Sequence, residues 1–563
     1  MYERAIGSNK FLFFLLIFSF LTDFLITSYL FWEINQVPKT IFFGLSLSFL
    51  TIIFLFLKRE IYFSKIDLGF LLIFFAVLPS YFSANDKAWF LFHLLVFILT
   101  YLSYLIAFNT FKKEYIYWFS ILIVLLSLIG LFQSLVQIFL LRCDWLYKLL
   151  ASPKNHFLLY IFPIFSSRFG QASGSTCQPN LFCLFLSIAS LCSAYLFLKT
   201  KNLFFLLALF LNTFTMQLTK SRAGFLDFLF VFSLFLYFLK NTKDKISIKR
   251  LIFWACFGHL VGFLFLKIIA QSTLINKVIS GGYSSRLAIW LISLILFLKH
   301  PLTGIGLGNF KAWAQLIEID VAREYSWVKW NPAFLTWAHN EYLHFLCETG
   351  IIGFLAILVF IWLIGKQVLR LLKTEPSLEA ILVICMLIPF FLHSLFSFPF
   401  HFPPLNILFG ILCGMLMKLS DVKTRALRFP FKIGFFLIGL GILYLVYHSS
   451  LAEIKLKHLR SEEYRKTVTQ KTLKKDITFM LSDLFVSRYT KFTLAGIYYK
   501  VGVKKNKKRL IKDAIKYWEE IFKVAPQVKI TYFLADAYNR LDQTDKASYW
   551  RKFYEIPKRP NFN

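Results

Sequence analysis

Residues 337–353 read WAHNEYLHFLCETGIIG and join a polar segment directly to a hydrophobic one. His339 and Asn340 end a long hydrophilic stretch, and an apolar run then continues to about residue 364. A helical run of that length can cross the roughly 30 Å hydrocarbon core of a bilayer. His339 is therefore expected at a membrane face, where a lipid-borne molecule meets water.

The whole chain has the composition of an integral membrane protein. Of its 563 residues, 58% are hydrophobic and 70 are Phe. Apolar segments predicted as transmembrane helices lie near 11–32, 41–57, 68–83, 89–107, 115–140, 181–198, 203–219, 223–239, 251–268, 341–364, 378–396, 405–417 and 431–448. The first is interpreted as an uncleaved span, because no small-residue cleavage site follows it. The sequence thus predicts an all-α, polytopic membrane protein with about 13 transmembrane helices.

Loop charges predict how these helices are oriented. Lys and Arg concentrate in alternate loops, near 58–67, 108–114, 199–202, 240–250, 365–377 and 418–430. The positive-inside rule assigns these loops to the cytoplasm, which leaves residues 141–180, 269–340 and everything after 449 outside. Counting the short apolar stretch 287–298 as a span would invert every later loop. It is therefore predicted as an interfacial or re-entrant helix within the outside loop.

The net charge of +33 has a membrane explanation. In a soluble protein it would suggest nucleic acid, but basic inner loops and anionic lipid head groups account for it here. No nucleic acid partner is therefore expected. The eight Cys residues show no zinc-type spacing, so no metal and no cofactor is expected either. Cys143 and Cys177 share one predicted outside loop, and whether they pair is left open.

The composition changes after about residue 449, where apolar runs stop and charges become dense. Two helix pairs are predicted, and they alternate small residues with aromatic ones in a pattern similar to tetratricopeptide repeats. This segment could dock a partner protein or could only stabilise the chain end. The predicted parts are N-terminal transmembrane helices at 1–140, a membrane domain at 141–448 with the large outside loop 269–340, and a helical-repeat-like soluble domain at 449–563.

Three Arg residues on the predicted outer face are candidates for binding phosphate. Arg222 follows a very short turn between two spans, Arg286 begins the interfacial helix, and Arg168 lies in the first outside loop. Arg suits this role because its planar guanidinium matches phosphate oxygens in pairs. A positive charge at a membrane boundary can also simply anchor the chain to head groups, and that alternative suits Lys220 well.

His339 is the candidate for proton transfer. A neutral imidazole, with an unperturbed pKa of about 6.5, can accept a proton from an attacking hydroxyl at ordinary pH. The alternative is that His339 only caps the helix that follows. Asn340 is an equally good N-cap, with Glu341 in the first turn.

Other polar residues of the predicted outer face have less specific interpretations. Gln178 and Asn180 could bind sugar hydroxyls, but capping of the following helix is favoured. Glu348 could pair with an Arg or support the site. The glycine-rich stretch HPLTGIGLGNF at 300–310 lacks the spacing and the preceding strand of a dinucleotide loop, so it is predicted to form a tight turn.

Four segments in this order resemble the O-antigen ligase and polymerase superfamily, whose shared segment is called the Wzy_C domain. They are QPN at 178–180, SRAG at 221–224, SSRLAIW with HPLTGIGLGNF within 284–310, and HNEYLHFLCETGIIGF at 339–354. Pilin-type O-oligosaccharyltransferases belong to the same superfamily. The resemblance covers about residues 140–418 and is most specific in the last segment.

The resemblance implies a helical bundle in the bacterial inner membrane with a large periplasmic loop over a cavity. Its members move a glycan from undecaprenyl diphosphate to an acceptor hydroxyl without a metal. Arg222 and Arg286 would hold the diphosphate, and His339 would be the base. The acceptor would be lipid A-core for a ligase, a second lipid-linked repeat unit for a polymerase, or a protein for an oligosaccharyltransferase. The protein-glycosylating branch often has an acidic residue where Ser397 stands here.

Two readings from other classes remain. A lipid-linked glycan transporter would tend to carry charged or broken helices at mid-membrane, whereas the polar residues here cluster outside. A non-catalytic membrane tether for the soluble domain would leave the clustered Arg and His residues unexplained. Both are therefore less favoured than glycan transfer.

Overall fold

The structure is a computed structural model and describes residues 2–25, 36–58, 60–140, 172–176, 178–240, 244–270, 282–325, 327–328, 336–374, 376–422, 424–426 and 429–553. Helices make up nearly all of this part, and its only strands are β1 (Tyr62–Phe63) and β2 (Arg425–Ala426). The predicted all-α class is confirmed. Arg168, Cys143 and Cys177 lie outside the described residues.

The helices follow one another with short connections. Before the large outer loop come α1 (Tyr2–Leu25), α2 (Gln36–Leu57), α3 (Lys65–Val77), α4 (Ser80–Ser83), α5 (Lys87–Thr110), α6 (Tyr115–Leu140), α7 (Pro179–Thr200), α8 (Phe204–Thr219), α9 (Arg222–Phe238) and α10 (Lys245–Ala270). Next are α11 (Gly282–Lys299), α12 (Phe310–Glu324), α13 (Glu341–Leu372), α14 (Leu378–His393), α15 (Pro403–Leu419) and α16 (Phe429–Arg460). The last are α17 (Glu462–Thr467), α18 (Gln470–Ser482), α19 (Ser487–Lys504), α20 (Lys508–Val524), α21 (Val528–Asn539) and α22 (Thr544–Arg551).

Each segment predicted to span the membrane coincides with a helix. In the described part of the chain, nine helical segments are long and apolar enough to cross a bilayer, namely α1, α2, α3 with α4, α5, α6, α7, α10, α13 and α16. The apolar helices α8, α14 and α15 are shorter, and α9 has 17 residues. A polytopic, all-helical membrane protein is therefore confirmed, while the number of thirteen spans stays a prediction.

Helix α7 is the centre of the membrane domain. It is apolar on every side, as expected of a helix that packs on all faces, and it contacts α6, α8, α9 and α14. Its three serines at 187, 190 and 193 donate their hydroxyls to carbonyls four residues earlier, at 3.1, 2.8 and 2.9 Å. These polar groups are thereby satisfied inside apolar surroundings.

Loops assigned to the inner face by their charge contact one another. The strands β1 and β2 pair antiparallel and so join the loop near 58–67 to the loop near 418–430. Glu379, at the start of α14, forms ion pairs with Lys199 at 2.9 Å and with Lys113 at 3.4 Å. Three further loops of the same assigned face therefore meet at one carboxylate.

Loops assigned to the outer face meet at the opposite end. The backbone N–H of Asp86 donates to Asn309 Oδ1 at 2.7 Å, and the amide of Asn309 returns a bond to the Asp86 carbonyl at 3.2 Å. The backbone N–H of Glu341 donates to the Ser394 carbonyl at 2.8 Å. These contacts agree with the predicted sets of loops, and the assignment of the two faces stays a prediction.

A second hydrophobic core lies beside the membrane bundle. Apolar residues of α11, α12 and the beginning of α13 form it, including Ile292, Phe310, Ala314, Ala338 and Cys347. The stretch 287–298, predicted as an interfacial helix, is the middle of α11 and packs into this core. The core therefore supports the segment that carries His339.

The C-terminal helices pack around Trp518. Both predicted helix pairs are present, as α19 with α20 and α21 with α22. The small residues noted in the sequence, Ala495, Ala514, Ala535 and Ala547, are all buried. The predicted boundary at residue 448 falls inside the continuous helix α16, whose end packs against α18 and α19. The resemblance of this part to tetratricopeptide repeats stays a prediction.

Replacing Trp518 should destabilise the C-terminal helices. The indole is 2% exposed, and Trp518→Ala would leave a large cavity that costs about 3–5 kcal/mol. Pulse proteolysis in urea, applied to the full chain in detergent, would measure the loss. Lys516→Ala, at an exposed position of the same helix, is the control and should change stability by less than about 0.5 kcal/mol.

Candidate active site

His339 is held in an uncommon backbone conformation at the start of α13. Its φ is +53°, in the left-handed region that non-glycine residues rarely adopt. Asn340 Oδ1 accepts the N–H of Leu343 at 3.0 Å, so the prediction that Asn340 caps this helix is confirmed. The His339 ring is half-buried, with its centroid 5.2 Å from that of Phe398. Asn340 therefore supplies the side-chain cap of α13.

The loop of residues 300–310 is bonded to an interruption in α13. At Gly350 the helix leaves helical geometry, with φ +65° and ψ −168°, a region open essentially to glycine alone. Four backbone hydrogen bonds join the loop to the interrupted helix: Ile351 N to Pro301 O at 2.9 Å, Ile352 N to Leu302 O at 3.3 Å, Ile305 N to Cys347 O at 3.0 Å, and Gly306 N to Glu348 O at 2.9 Å. Three loop glycines, Gly304, Gly306 and Gly308, have positive φ. The predicted tight turn is thus also a docking segment.

Glu348 fastens the same loop through its side chain. The buried carboxylate accepts the backbone N–H groups of Gly308 and Phe310, each at 2.8 Å, and contacts His344 Nε2 at 3.2 Å. His344 Nδ1 accepts the N–H of Ala338 at 3.2 Å, so in the neutral ring the hydrogen sits on Nε2 and is donated to Glu348. In the described part of the chain, the Glu348 carboxylate therefore binds the 300–310 loop and His344. Pairing with an Arg was one of the roles predicted from the sequence.

A second buried carboxylate, Glu341, holds the turn after α14. It accepts the backbone N–H of Phe400 at 2.8 Å and contacts His401 Nδ1 at 3.2 Å. Burial alone would lower the pKa of His401, but the charge and the hydrogen bond of Glu341 more than offset it, so this pKa is raised. The His401 ring lies 4.3 Å from Trp337 and 4.6 Å from His344, measured between centroids.

Glu341, His344 and His401 were not predicted as site residues. From the sequence, Glu341 was predicted only to lie in the first turn of a helix. The available signal was a histidine inside an outer turn of an otherwise apolar region. Its partner lies 60 residues earlier, which no local pattern reveals.

The predicted arginines occupy the starts of two helices. Arg222 is the exposed first residue of α9, whose N-terminus is capped by Ser221 Oγ accepting the N–H of Gly224 at 3.1 Å. Arg286 is half-buried in α11, the helix that packs against α12 and α13. Both helices that carry these Arg residues therefore pack against elements that contact the His339 segment. Helix α11 packs on α13 directly. Helix α9 packs on α14, and the Ser394 carbonyl after α14 accepts the N–H of Glu341.

The favoured capping role of Gln178 and Asn180 is wrong. Gln178 occupies the N-cap position of α7, but its side chain makes no capping hydrogen bond. Short side chains such as Ser, Thr, Asp and Asn are suited to that position, and Gln is longer. Asn180 lies one position further, inside the first turn and half-buried. Binding of sugar hydroxyls by this pair stays a prediction.

A buried Asp–His pair and an apolar groove lie between α14 and α9, the helix that Arg222 begins. Asp227 of α9 accepts a hydrogen bond from Nδ1 of His393 at the end of α14, and both side chains are buried. Next to the pair, a groove runs between the two helices, lined mainly by Leu226, Leu229, Phe230, Leu392, Leu395 and Phe396. Sequence reasoning missed this pair, although an Asp within an apolar helix is a recognised signal of a functional or structural site.

Two family models match parts of this chain. Residues 203–358, which include Arg222, Arg286 and His339, match a family model described as O-Antigen ligase. Residues 381–556 match a second model, described as Virulence factor membrane-bound polymerase, C-terminal. Both segments are thus similar to members of the O-antigen ligase and polymerase superfamily. The resemblance drawn from the sequence is thereby confirmed.

A relative with a described activity supports the same resemblance. Over 384 residues the chain is 26% identical to a ComP-specific O-oligosaccharyltransferase of Acinetobacter baylyi (strain ATCC 33305 / BD413 / ADP1). The alignment takes in 65% of this chain and 63% of that protein, so the chain spans a little under two thirds of the relative's length. Together the comparisons support the predicted class, a glycosyltransferase-type enzyme.

Substituting Gly350 should disturb the docked loop. A Cβ built there would stand 2.3 Å from the Leu302 carbonyl oxygen, and the backbone conformation costs a non-glycine residue about 1–3 kcal/mol. We expect Gly350→Ala to lower the thermal unfolding midpoint in detergent. Gly365→Ala, in the same helix with open space around its Cβ, should be neutral or stabilising by up to about 1 kcal/mol. Equal midpoints for the two variants would contradict this account of the loop.

The contribution of the Glu341–His401 contact should depend on pH. Because the pKa of His401 is raised in the folded protein, its stabilisation is complete below the unfolded value of about 6.5 and is lost as pH rises through the raised value. The midpoint difference between the wild type and His401→Gln should therefore shrink as pH rises above the unfolded value of about 6.5. His300→Gln, at an exposed position, should give a flat difference. A pH-independent effect of His401→Gln would exclude the charge interaction.

Proposed function

We propose that the chain transfers a glycan from undecaprenyl diphosphate to an acceptor hydroxyl at the periplasmic face of the bacterial inner membrane. The observation that carries the proposal is the presentation of His339. His339 lies at the start of a membrane helix, within the segment that matches the O-antigen ligase model. Asn340, the next residue, provides the side-chain cap of that helix. Glu341 and Glu348, in the helix that follows His339, bond to the 399–401 turn and to the 300–310 loop.

In the proposed reaction, the acceptor oxygen attacks the anomeric carbon of the donor. His339 accepts the hydroxyl proton as the new carbon–oxygen bond forms. The bond from the anomeric carbon to the diphosphate oxygen breaks, and its electron pair leaves with the diphosphate. Arg222 and Arg286, with Arg168 as a further candidate, stabilise that growing negative charge. A single displacement of this kind inverts the anomeric centre and requires no cofactor.

The apolar groove between α9 and α14 suits the lipid part of this donor. Several of its side chains are exposed on the surface of the bundle, including Leu226 at 60% and Phe230 at 54%. In a membrane such a groove faces hydrocarbon, where a polyprenyl chain can lie without exposing apolar surface to water. The diphosphate would then sit at the outer end of α9, near its positively polarised N-terminus.

A protein hydroxyl is the second candidate acceptor. The curated relative is described as an O-oligosaccharyltransferase, which favours this branch over lipid A-core or a second repeat unit. The C-terminal domain, placed outside by the loop charges, would then meet the partner protein. Ser397 departs from the acidic residue frequent in that branch, so the ligase-like and polymerase-like reactions remain alternatives.

Removing the proposed base should abolish most transfer. His339→Ala should lower kcat by about 10²–10⁴-fold in an assay with purified protein, a lipid-linked glycan and a hydroxyl acceptor. His300→Ala, another histidine of the outside segment, is the matched control and should retain activity. Folded His339→Ala protein with a near-normal rate would rule out the assignment.

Removing a proposed phosphate ligand should slow the same reaction. Arg222→Ala and Arg286→Ala should each lower the transfer rate by about 10²-fold or more, and Lys at either position should restore little because it cannot bind two oxygens in the same plane. Lys220→Ala, next to the same turn, should have little effect. Mass analysis of the product distinguishes glycosylated lipid, glycosylated protein and lengthened glycan. Normal rates in both Arg variants would exclude their proposed role.

A further inference from the structure

A continuous row of rings leads away from His339 across the outer face. We call it the aromatic row; its members are Trp89, His93, His401, Trp337, Phe398 and His339. Neighbouring centroids lie 5.5, 5.7, 4.3, 5.3 and 5.2 Å apart in that order. All members except Phe398 are only partly buried. Rings of a closed core would be inaccessible, so this row is suited to line a cavity.

The polar edges of the row are oriented by the protein. His93 Nδ1 lies 2.9 Å from the Trp89 carbonyl, which can only accept, so the hydrogen of the neutral ring is on Nδ1 and Nε2 is an acceptor. His401 Nδ1 is directed to Glu341, which leaves its Nε2 for another contact. The row thus combines flat apolar faces with fixed hydrogen-bonding edges, the combination that a sugar ring with its C–H faces and hydroxyl groups can use.

Two cations stand over the far end of the row. Lys311 Nζ and the guanidinium of Arg488 both lie over the Trp89 ring, the latter with Cζ 5.6 Å from the centroid. Arg488 belongs to the C-terminal domain and forms a buried ion pair with Asp86. For Lys311, no carboxylate oxygen of the described residues lies within 4.0 Å. Its charge is therefore not neutralised by a direct ion pair there.

Burial disfavours the charged form of Lys311, and a bound anion would favour that form. Burial lowers the pKa of this ammonium well below its usual range, and the charge of Glu348 offsets only part of the effect. A bound carboxylate or phosphate would favour the charged form and would gain a charge-assisted hydrogen bond. An anionic ligand would therefore gain more from pairing with this buried ammonium than from pairing with a solvent-exposed lysine.

Three parts of the chain bring these groups together. Trp89 and His93 are on the first turns of α5, Lys311 is on the first turn of α12, and Arg488 is on α19. The mutual hydrogen bonds of Asp86 and Asn309 hold the starts of α5 and α12 together. The convergence is therefore built by specific contacts rather than by one helix face.

We propose that the aromatic row is a glycan-binding subsite for an acidic oligosaccharide, with sugar rings on Trp89 and Trp337 and a carboxylate or phosphate group at Lys311 and Arg488. The inference rests on the proposed function and extends it to the class of glycan. The sugar at the anomeric centre would sit at His339, and the rest of the donor glycan would follow the row outward. The acidic group would belong to a sugar distant from the diphosphate.

Two matched donors test the subsite. They share the polyprenyl diphosphate and the first sugar, and they differ only in carrying an acidic or a neutral sugar further along. Lys311→Gln should raise KM for the acidic donor at least about tenfold more than for the neutral donor, because it removes a charge-assisted contact. Lys311→Arg should preserve most of the selectivity. Lys87→Gln, an exposed lysine two positions before Trp89, should leave both KM values unchanged.

Stacking is tested separately at Trp89. Trp89→Ala should raise KM for both donors, and Trp89→Phe should restore much of the loss because it keeps an aromatic face. Calorimetric titration of the purified wild type and Lys311→Gln with free acidic and neutral oligosaccharides gives a readout that is independent of transfer. Binding should favour the acidic oligosaccharide in the wild type only.

The outcomes separate the subsite from the proposed function. If the wild type transfers glycan but Lys311→Gln raises both KM values equally, the subsite is excluded and transfer stands. If the wild type transfers neither donor but binds the acidic oligosaccharide through Lys311, the proposed function fails and the binding site stands. Absence of selective binding in the titration, together with equal KM effects, would overturn the inference.

Discussion

The buried carboxylate of Glu348 is the contact on which the outer face of this protein depends. It is the common acceptor for two backbone amides of the 300–310 loop and for the ring of His344. A carboxylate placed in such surroundings is tolerated only when its oxygens are satisfied by donors, and here the donors come from both sides of the site. The loop, the interrupted helix α13 and the approach to His339 are consequently one unit.

Glu341 repeats this arrangement two turns earlier in the same helix. It fastens the turn after α14, and its backbone N–H is bonded to Ser394. The two glutamates therefore connect the beginning of α13 to two other segments, the glycine loop and the 399–401 turn. The helix that follows His339 is thereby fixed at both of these carboxylates.

Much of the architecture could be predicted because it follows from local pattern. Long apolar runs became helices, and two loops that the charge pattern assigns to one face are joined by the pairing of β1 with β2. The cap at Asn340 was predicted for the same reason, since a short polar side chain before an apolar run is a local signal. Gln178 failed as a cap because the same rule depends on side-chain length.

Contacts between distant segments could not be predicted in this way. His401 bonds to Glu341, which is 60 residues away, and His393 bonds to Asp227, which is 166 residues away. The glycine loop docks against the break at Gly350 in the later helix α13. Each of these residues looks like a turn or a helix interruption when read alone. Only the packing of α9 on α14 and of the loop on α13 turns them into parts of a site.

The ion pair between Asp86 and Arg488 has a consequence for when this site becomes complete. Its two residues are 402 positions apart, and Arg488 belongs to the C-terminal helices, which are made after the membrane helices. At about 5–20 residues per second, a ribosome needs roughly 20–80 s to travel that distance. Helices α5 to α16 are synthesised during this interval, and the outer face lacks the guanidinium of Arg488 until it ends. The order of synthesis thereby delays the Asp86–Arg488 contact until after the membrane helices have been made.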